Sequence, residues 1–231
     1  MTLALIVILP LLGSLLPLLF NNQGRSLCAS MTMVAPVIGL VLLWQYADAV
    51  FAGQTVIHSW PWLSELGLNI SFRLDGLSFL FALMIQGIGL LVILYARYYL
   101  SKRDPMGRFF CYLLLFMSAM LGVVLSENLL LMMVFWEMTS LSSFLLISYW
   151  SHSTDARKGA RMALAVTGAG GLALLAGVLL LGQVVGSYEL TDVFAAGEQI
   201  RAHALYPVIL VLVLLGVFTK SAQFPFHFWL P

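Results

Sequence analysis

The sequence predicts an all-α protein that crosses a membrane about seven times. Three observations carry that expectation. The 231 residues are 61% hydrophobic and only 9% charged, with a mean hydropathy of +1.00, whereas soluble domains carry about 25% charged residues. Seven apolar stretches, roughly 2–20, 30–51, 76–98, 108–126, 128–150, 160–185 and 205–224, are each about long enough for ~30 Å of hydrocarbon. The basic residues, finally, are spread very unevenly over the connections between them.

The first stretch lacks a basic leader and an A-x-A cleavage site, so it is expected to stay as a helix. Cys28 falls in a short loop before the second stretch and Cys111 in the fourth; two such cysteines make neither a disulfide framework nor a metal site. Between the second and third stretches, Leu68, Ile70, Phe72 and Leu74 alternate with Asn69, Ser71 and Arg73, which is strand periodicity. The preceding T-V-I-H-S-W-P-W pairs with it through a turn at 64–67, giving a small outward β-hairpin with Trp60 and Trp62 at the membrane interface. Asp75 is placed to cap the third helix. Glu127 and Asn128, in the tight link before the fifth stretch, are expected to form an exposed turn and cap. The sixth stretch carries T-G-A-G-G at 167–171, a run whose small side chains favour close helix packing; without G-K-S/T it is no phosphate loop. His152 and Asp155 open a basic loop, and Lys158 either faces the membrane surface or enters the sixth helix.

Charge sets the orientation. With the N-terminus outside, the inner connections hold Arg25, Arg97, Lys102, Arg103, Arg108, Arg157, Lys158 and Arg161, and the outer ones only Arg73 and Arg201. Eight against two is a positive-inside pattern. The net charge of +1 gives no nucleic-acid signature.

Two ionisable residues lie deep in apolar sequence: Glu137 in the fifth stretch and Lys220 in the seventh. A charge at the bilayer centre costs on the order of 3 kcal/mol or more and usually has a partner and a task. Counting from the outer ends of their stretches, Glu137 is ~14 Å deep and Lys220 ~22 Å, an ~8 Å offset that long side chains or one water can close. Loss of solvation works against each charge and pairing restores both, so a pair of variable spacing is a switch for proton release. A static salt bridge and a snorkelling lysine are the alternatives.

Around the pair the sequence turns polar. Thr139, Ser140, Ser142 and Ser143 follow Glu137, and either line a water file or bond back to helix carbonyls. Thr219 precedes Lys220, and Pro225 is expected to break the seventh helix beside a polar cavity. His227 is either a proton relay or a hydrogen-bonded structural residue.

The motifs F-W-E-M-T-S-L-S-S-F-L-L-I-S-Y-W and F-T-K-S-A-Q-F-P-F-H-F-W-L-P resemble the antiporter-like subunits of respiratory complex I and its relatives. Together with residues 74–101 and G-S-Y-E-L at 186–190, the wording is similar to the A-type subunit of Mrp-type multisubunit sodium/proton antiporters. The resemblance implies that Glu137 and Lys220 form the coupled pair of a proton half-channel, with His227, Ser140, Ser143 and Thr219 as candidate relays. It implies a transporter subunit of the cell membrane, not an enzyme, with no cofactor or metal. Its partners are other membrane subunits of a multisubunit complex, protons and a monovalent cation such as Na+. The alternatives are a proton-pumping subunit of a redox enzyme and a non-transporting structural subunit. The family fold has three leading helices and two inverted five-helix repeats. Residues 1–105 then correspond to the leading helices with the hairpin, and 106–231 to an incomplete first repeat, so the chain is expected to be a fragment.

Overall fold

The computed structural model describes residues 2–101 and 104–230, without the side chain of Asn22. Lys102 and Arg103, two of the basic residues counted to the inner side, lie outside the described residues, as does Pro231. In chain order the elements are α1 (Thr2–Gly13), α2 (Leu16–Leu19), α3 (Arg25–Trp44), α4 (Ala47–Phe51), β1 (Val56–Leu63), β2 (Leu68–Leu74), α5 (Gly76–Tyr99) and α6 (Met106–Leu125). There follow α7 (Leu129–Ile147), α8 (Thr154–Val185), α9 (Leu190–Ala195), α10 (Gly197–Ala202) and α11 (Tyr206–Lys220). Six helical runs among the described residues are long and apolar enough to span a membrane, the first of them, Thr2–Leu19, covering α1 and α2 together. At 15 residues α11 is shorter, about 22 Å long.

Two compact units form: one takes the chain up to His58 with Phe72–Leu125, the other Ser59–Ser71 with everything from Ser126 on. The first unit holds α1 to α6. Its core packs Leu3, Ile6 and Val7 of α1 with Phe110, Leu114 and Leu121 of α6, all fully buried or nearly so. Ser118 donates to the Val7 carbonyl at 2.7 Å, so its hydroxyl is satisfied in an apolar setting. Arg25 donates to the carbonyls of Arg97, Leu100 and Ser101 at 2.5–2.8 Å, closing the last turn of α5. At the other end of α5, Asp75 and Ser78 form a capping box. Burial alone pushes the Asp75 carboxyl up. The Ser78 N–H, the Arg73 guanidinium 3.1 Å away and the Ser78 hydroxyl outweigh it and hold the group below the usual carboxylate range. Cys28 lies inside α3 and is buried, not in a loop: the helix starts at Arg25, five residues earlier than the apolar count suggested.

The hairpin is present as a two-stranded sheet, its turn completed by Gly67 at φ +68°. The second unit takes in the hairpin tip and everything after Ser126. Here α8 lies along both α7 and α11. It begins at Thr154, because the Ser153 side chain accepts from Ala156 N, so Arg157, Lys158 and Arg161 are helical and not in a loop.

Glu127 and Asn128 depart from expectation. Asn128 does cap α7, accepting from Leu130 N and Leu131 N at 3.0 and 3.1 Å, but both residues are buried, at 2% and 0% exposure. The strand end and the turn before α9 cover them. Glu127 N donates to the Ser71 carbonyl, Leu129 N to Tyr188, and Leu190 N to Glu127. Glu189 accepts from Asn69, Ser71 and Asn128 side chains at 3.0, 2.7 and 2.9 Å, and Glu127 accepts from the Thr191 N–H at 2.9 Å. Ser71, drawn inward by Glu189, is therefore buried although the strand alternation placed it on the polar face.

Candidate functional site

The site lies wholly in the second unit. Glu137 is the ninth residue of α7 and is half-buried. One carboxylate oxygen is buried with no hydrogen-bond partner among the described residues. On one side the surroundings are apolar: a groove of about 550 Å³ runs beside it, walled by Leu130, Met133, Val134, Leu141, Leu172 and Leu175, with Glu137 the one ionisable lining residue among the described residues.

The room for this carboxylate comes from α8. A Cβ on Gly171 would stand 1.8 Å from Glu137 Oε1, so only glycine fits at that position with the side chain where it is. The preceding residue does the same for α11: a Cβ on Gly170 would meet Thr219 Oγ1 at 1.7 Å. Sequence reasoning assigned the T-G-A-G-G run to packing in general. Its specific service to Glu137 was signalled only by two adjacent glycines near the middle of an apolar helix.

Lys220 is the last residue of α11 and is half-buried. Its Nζ donates to Ser140 Oγ at 2.9 Å and sits 5.5 Å from the centroid of the Trp136 ring. Ser140 is one turn along α7 from Glu137, about 4.5 Å of rise. Lys220 and Glu137 are thus neighbours without an ion pair between them among the described residues. The lysine side chain reaches Ser140 on α7, as the side-chain closure of an offset requires. Thr219 and the Glu137 carboxylate meet α8 at consecutive residues, Gly170 and Gly171.

The remaining candidates divide. Ser140 is buried and holds Lys220. Ser143, a turn farther on, is half-buried and makes no side-chain hydrogen bond among the described residues. Thr139 and Ser142 bond back, to the carbonyls of Trp136 and Met138 at 2.6 and 2.7 Å. Thr219 also bonds back, to Gly216 O at 2.9 Å, and fills the space over Gly170. His227 is exposed on a single 3-10 turn, Phe226–Trp229, stacked on Phe224. The helix itself stops at Lys220, five residues ahead of Pro225, which lies in the non-helical stretch that follows. Trp229 Nε1 ties that stretch back by donating to Thr219 O at 2.9 Å.

Comparison with known proteins adds an independent line. A family model described as NADH:quinone oxidoreductase/Mrp antiporter, TM, matches residues 126–231. One described as NADH-Ubiquinone oxidoreductase (complex I), chain 5 N-terminus, matches residues 60–110. The chain is 51% identical over 232 residues to the probable K(+)/H(+) antiporter A/B subunit of Rhizobium meliloti, covering 99% of this chain and 23% of that protein. It is 45% identical over 222 residues to the Na(+)/H(+) antiporter A-type subunit of Alkalihalophilus pseudofirmus, covering 96% and 28%. The Mrp complex from Dietzia sp. DQ12-45-1b superposes with a TM-score of 0.88 at 31% identity, over 100% of this chain and 25% of that one. An archaeal membrane-bound sulfane sulfur reductase shares the fold, with a TM-score of 0.80 at 22% identity, over 99% of this chain and 35% of that one. The chain therefore spans about a quarter of the length of the curated relatives it matches.

Proposed function

Because the chain belongs to the antiporter-like membrane-subunit family that Mrp antiporters share with NADH:quinone oxidoreductase, we propose that it supplies a proton half-channel to a monovalent cation/proton antiporter. Glu137 and Lys220 are the proton-handling pair. The observation that carries this reading is the hydrogen bond from Lys220 to Ser140, which brings the ammonium within one helical turn of Glu137. A pair this close but not fused into a salt bridge has two spacings available to it. Pairing favours both charges and separation favours release of the lysine proton.

The chain is a multi-pass membrane protein of the cell membrane. The positive-inside count orients its N-terminus outward, which puts the hairpin outside. It works as one component of a hetero-oligomeric complex. The transported cation is monovalent: the two relatives above carry K+ and Na+ in their names, and Na+ is the cation first to be tried. The test is Glu137→Ala in the full-length protein assembled with its partner subunits. Cation-driven dissipation of a pH gradient in membrane vesicles should fall to background. Exchange at the wild-type rate overturns the proton-pair reading.

The complex I description of the match over residues 60–110 supports a second reading, a proton-pumping subunit of a redox enzyme. The neighbouring genes separate the two. Small antiporter subunits favour the first, and quinone- or hydrogen-reacting subunits the second.

A further inference from the structure

On α7 the site is built from two adjoining stripes. Trp136 and Ser140 are four residues apart and share one face. Glu137 is one residue on from Trp136, about 100° around the helix, and opens on the apolar groove. Lys220 occupies the first stripe. Its ammonium rests over the Trp136 ring, 5.5 Å from the centroid and inside the range for a cation held by a ring face, with Ser140 Oγ as its hydrogen-bond acceptor.

Trp136 is an expensive choice if it serves packing alone. The ring contacts the buried cluster of Leu129, Met133, Leu174 and Val178, a task phenylalanine performs as well. The indole N–H is buried and has no acceptor among the described residues, a cost phenylalanine avoids. What tryptophan adds over other aromatics is the most strongly cation-attracting ring face.

We infer that Trp136 is a positioning residue that seats the Lys220 ammonium away from Glu137, so that the pair keeps an open spacing as well as a closed one. This rests on the proton-pair reading and deepens it. Without the ring, the seat is reduced to Ser140, and the ammonium moves to the Glu137 stripe. The charges around Lys220 are few. From α7 comes Glu137. Residues 162–185 of α8, which include the Gly170 level where α11 packs, carry no charge, and Lys158 and Arg161 lie two or more turns nearer the start of that helix. From the closing turn comes His227, exposed on Phe224.

The experiment compares wild type, Trp136→Phe, Trp136→Leu and tetrafluorotryptophan placed at position 136 by nonsense suppression. All are made in the full-length protein with its partner subunits and assayed for cation/proton exchange across pH in vesicles. Fluorination keeps the shape of the ring and removes the negative potential of its face. The expected result is a graded fall in maximal rate, roughly 2- to 30-fold, with the cation KM unchanged and the pH–rate profile displaced. The order is wild type, Phe, then Leu, and the fluorinated ring behaves like Leu although it packs like Trp. A wild-type rate and pH profile with the fluorinated ring overturns the inference, even where Leu fails to assemble. Glu137→Ala runs in parallel. If that variant exchanges normally, the proton-pair reading itself fails. If it is inactive while the fluorinated protein is normal, only the role of Trp136 fails.

Discussion

Gly171→Ala is the sharpest perturbation of the site. The added methyl would stand 1.8 Å from Glu137 Oε1 and 3.0 Å from Cδ, whereas ordinary contact starts at 3.4 Å. The carboxylate must therefore retreat by about 1.6 Å. It is the far end of a flexible side chain, so the protein absorbs the change by a rotamer shift costing about 0.5–1.5 kcal/mol. Replacing glycine by alanine inside α8 contributes about 1 kcal/mol in the other direction. The two nearly cancel, and assembly in the membrane should be unaffected. Function should not be. Misplacing a reacting group by 1 Å costs on the order of 100-fold. We expect cation/proton exchange in vesicles to fall at least about 10-fold. Gly168→Ala is the internal control: it lies one turn earlier in the same helix and its Cβ would meet nothing within 4 Å. Gly168→Ala should exchange at the wild-type rate. Equal rates for the two variants would refute the claim that Gly171 sets the position of the carboxylate.

Two further predictions concern stability. Glu189→Gln presents a donor where Asn69, Ser71 and Asn128 all donate, and should lower stability by about 2 kcal/mol or more. Asn128→Ala loses the α7 cap, worth about 1 kcal/mol, besides its bonds to Gly67 and Glu189. Thermal unfolding in detergent should show the double variant less damaged than the sum, since the two residues share a bond; strict additivity would show that they act independently. Asp75 makes stability depend on pH, and the sign is fixed by its lowered folded value. The stabilisation is fully present above the ordinary aspartate range, about 4, and is lost as pH falls through the lower folded value. Asp75→Asn should be less stable at neutral pH and flatter in acid, measured as unfolding temperature against pH. An unchanged acid slope would count against the capping carboxylate.

The sequence revealed elements wherever one physical requirement dominated. Apolar length marked the spans, strand alternation marked the hairpin at 68–74, and an acid before Gly76 marked the start of α5. It also exposed Glu137 and Lys220, because a charge in an apolar run has few innocent explanations. It misplaced what depends on neighbours distant in the chain. Glu127 and Asn128 look like an exposed link, yet the β2 end and the turn at Tyr188 cover them, a pairing no local pattern carries. The α8 start was missed because a Ser153 cap lets charged Arg157 and Lys158 join an apolar helix. The α11 end was sought at Pro225, whereas the chain leaves the helix at Ser221 and Ala222 adopts φ +51°. Trp136 was invisible as a site residue because an aromatic in an apolar segment looks like packing until a lysine is found above it.

The role of α8 follows from these contacts and concerns register. Glu137 and Lys220 lie on different helices, and neither helix measures depth for the other. What gives them a common scale is a third helix that touches both. Gly170 receives Thr219, the residue before Lys220, and Gly171 receives the Glu137 carboxylate. Consecutive residues of α8 are about 1.5 Å apart along its axis, so the two anchor points are indexed to nearly the same level. The Gly216 end of the contact is equally tight: its Cβ would meet Leu174 at 2.6 Å and the Gly170 carbonyl at 2.9 Å, a close backbone approach that ties α11 to this level of α8. A rigid index of this kind leaves the side chains as the moving parts. Lys220 can pass between the Trp136–Ser140 stripe and the Glu137 stripe by bond rotations alone. Opening and closing the pair then requires no shift of helices that are close-packed at glycine contacts.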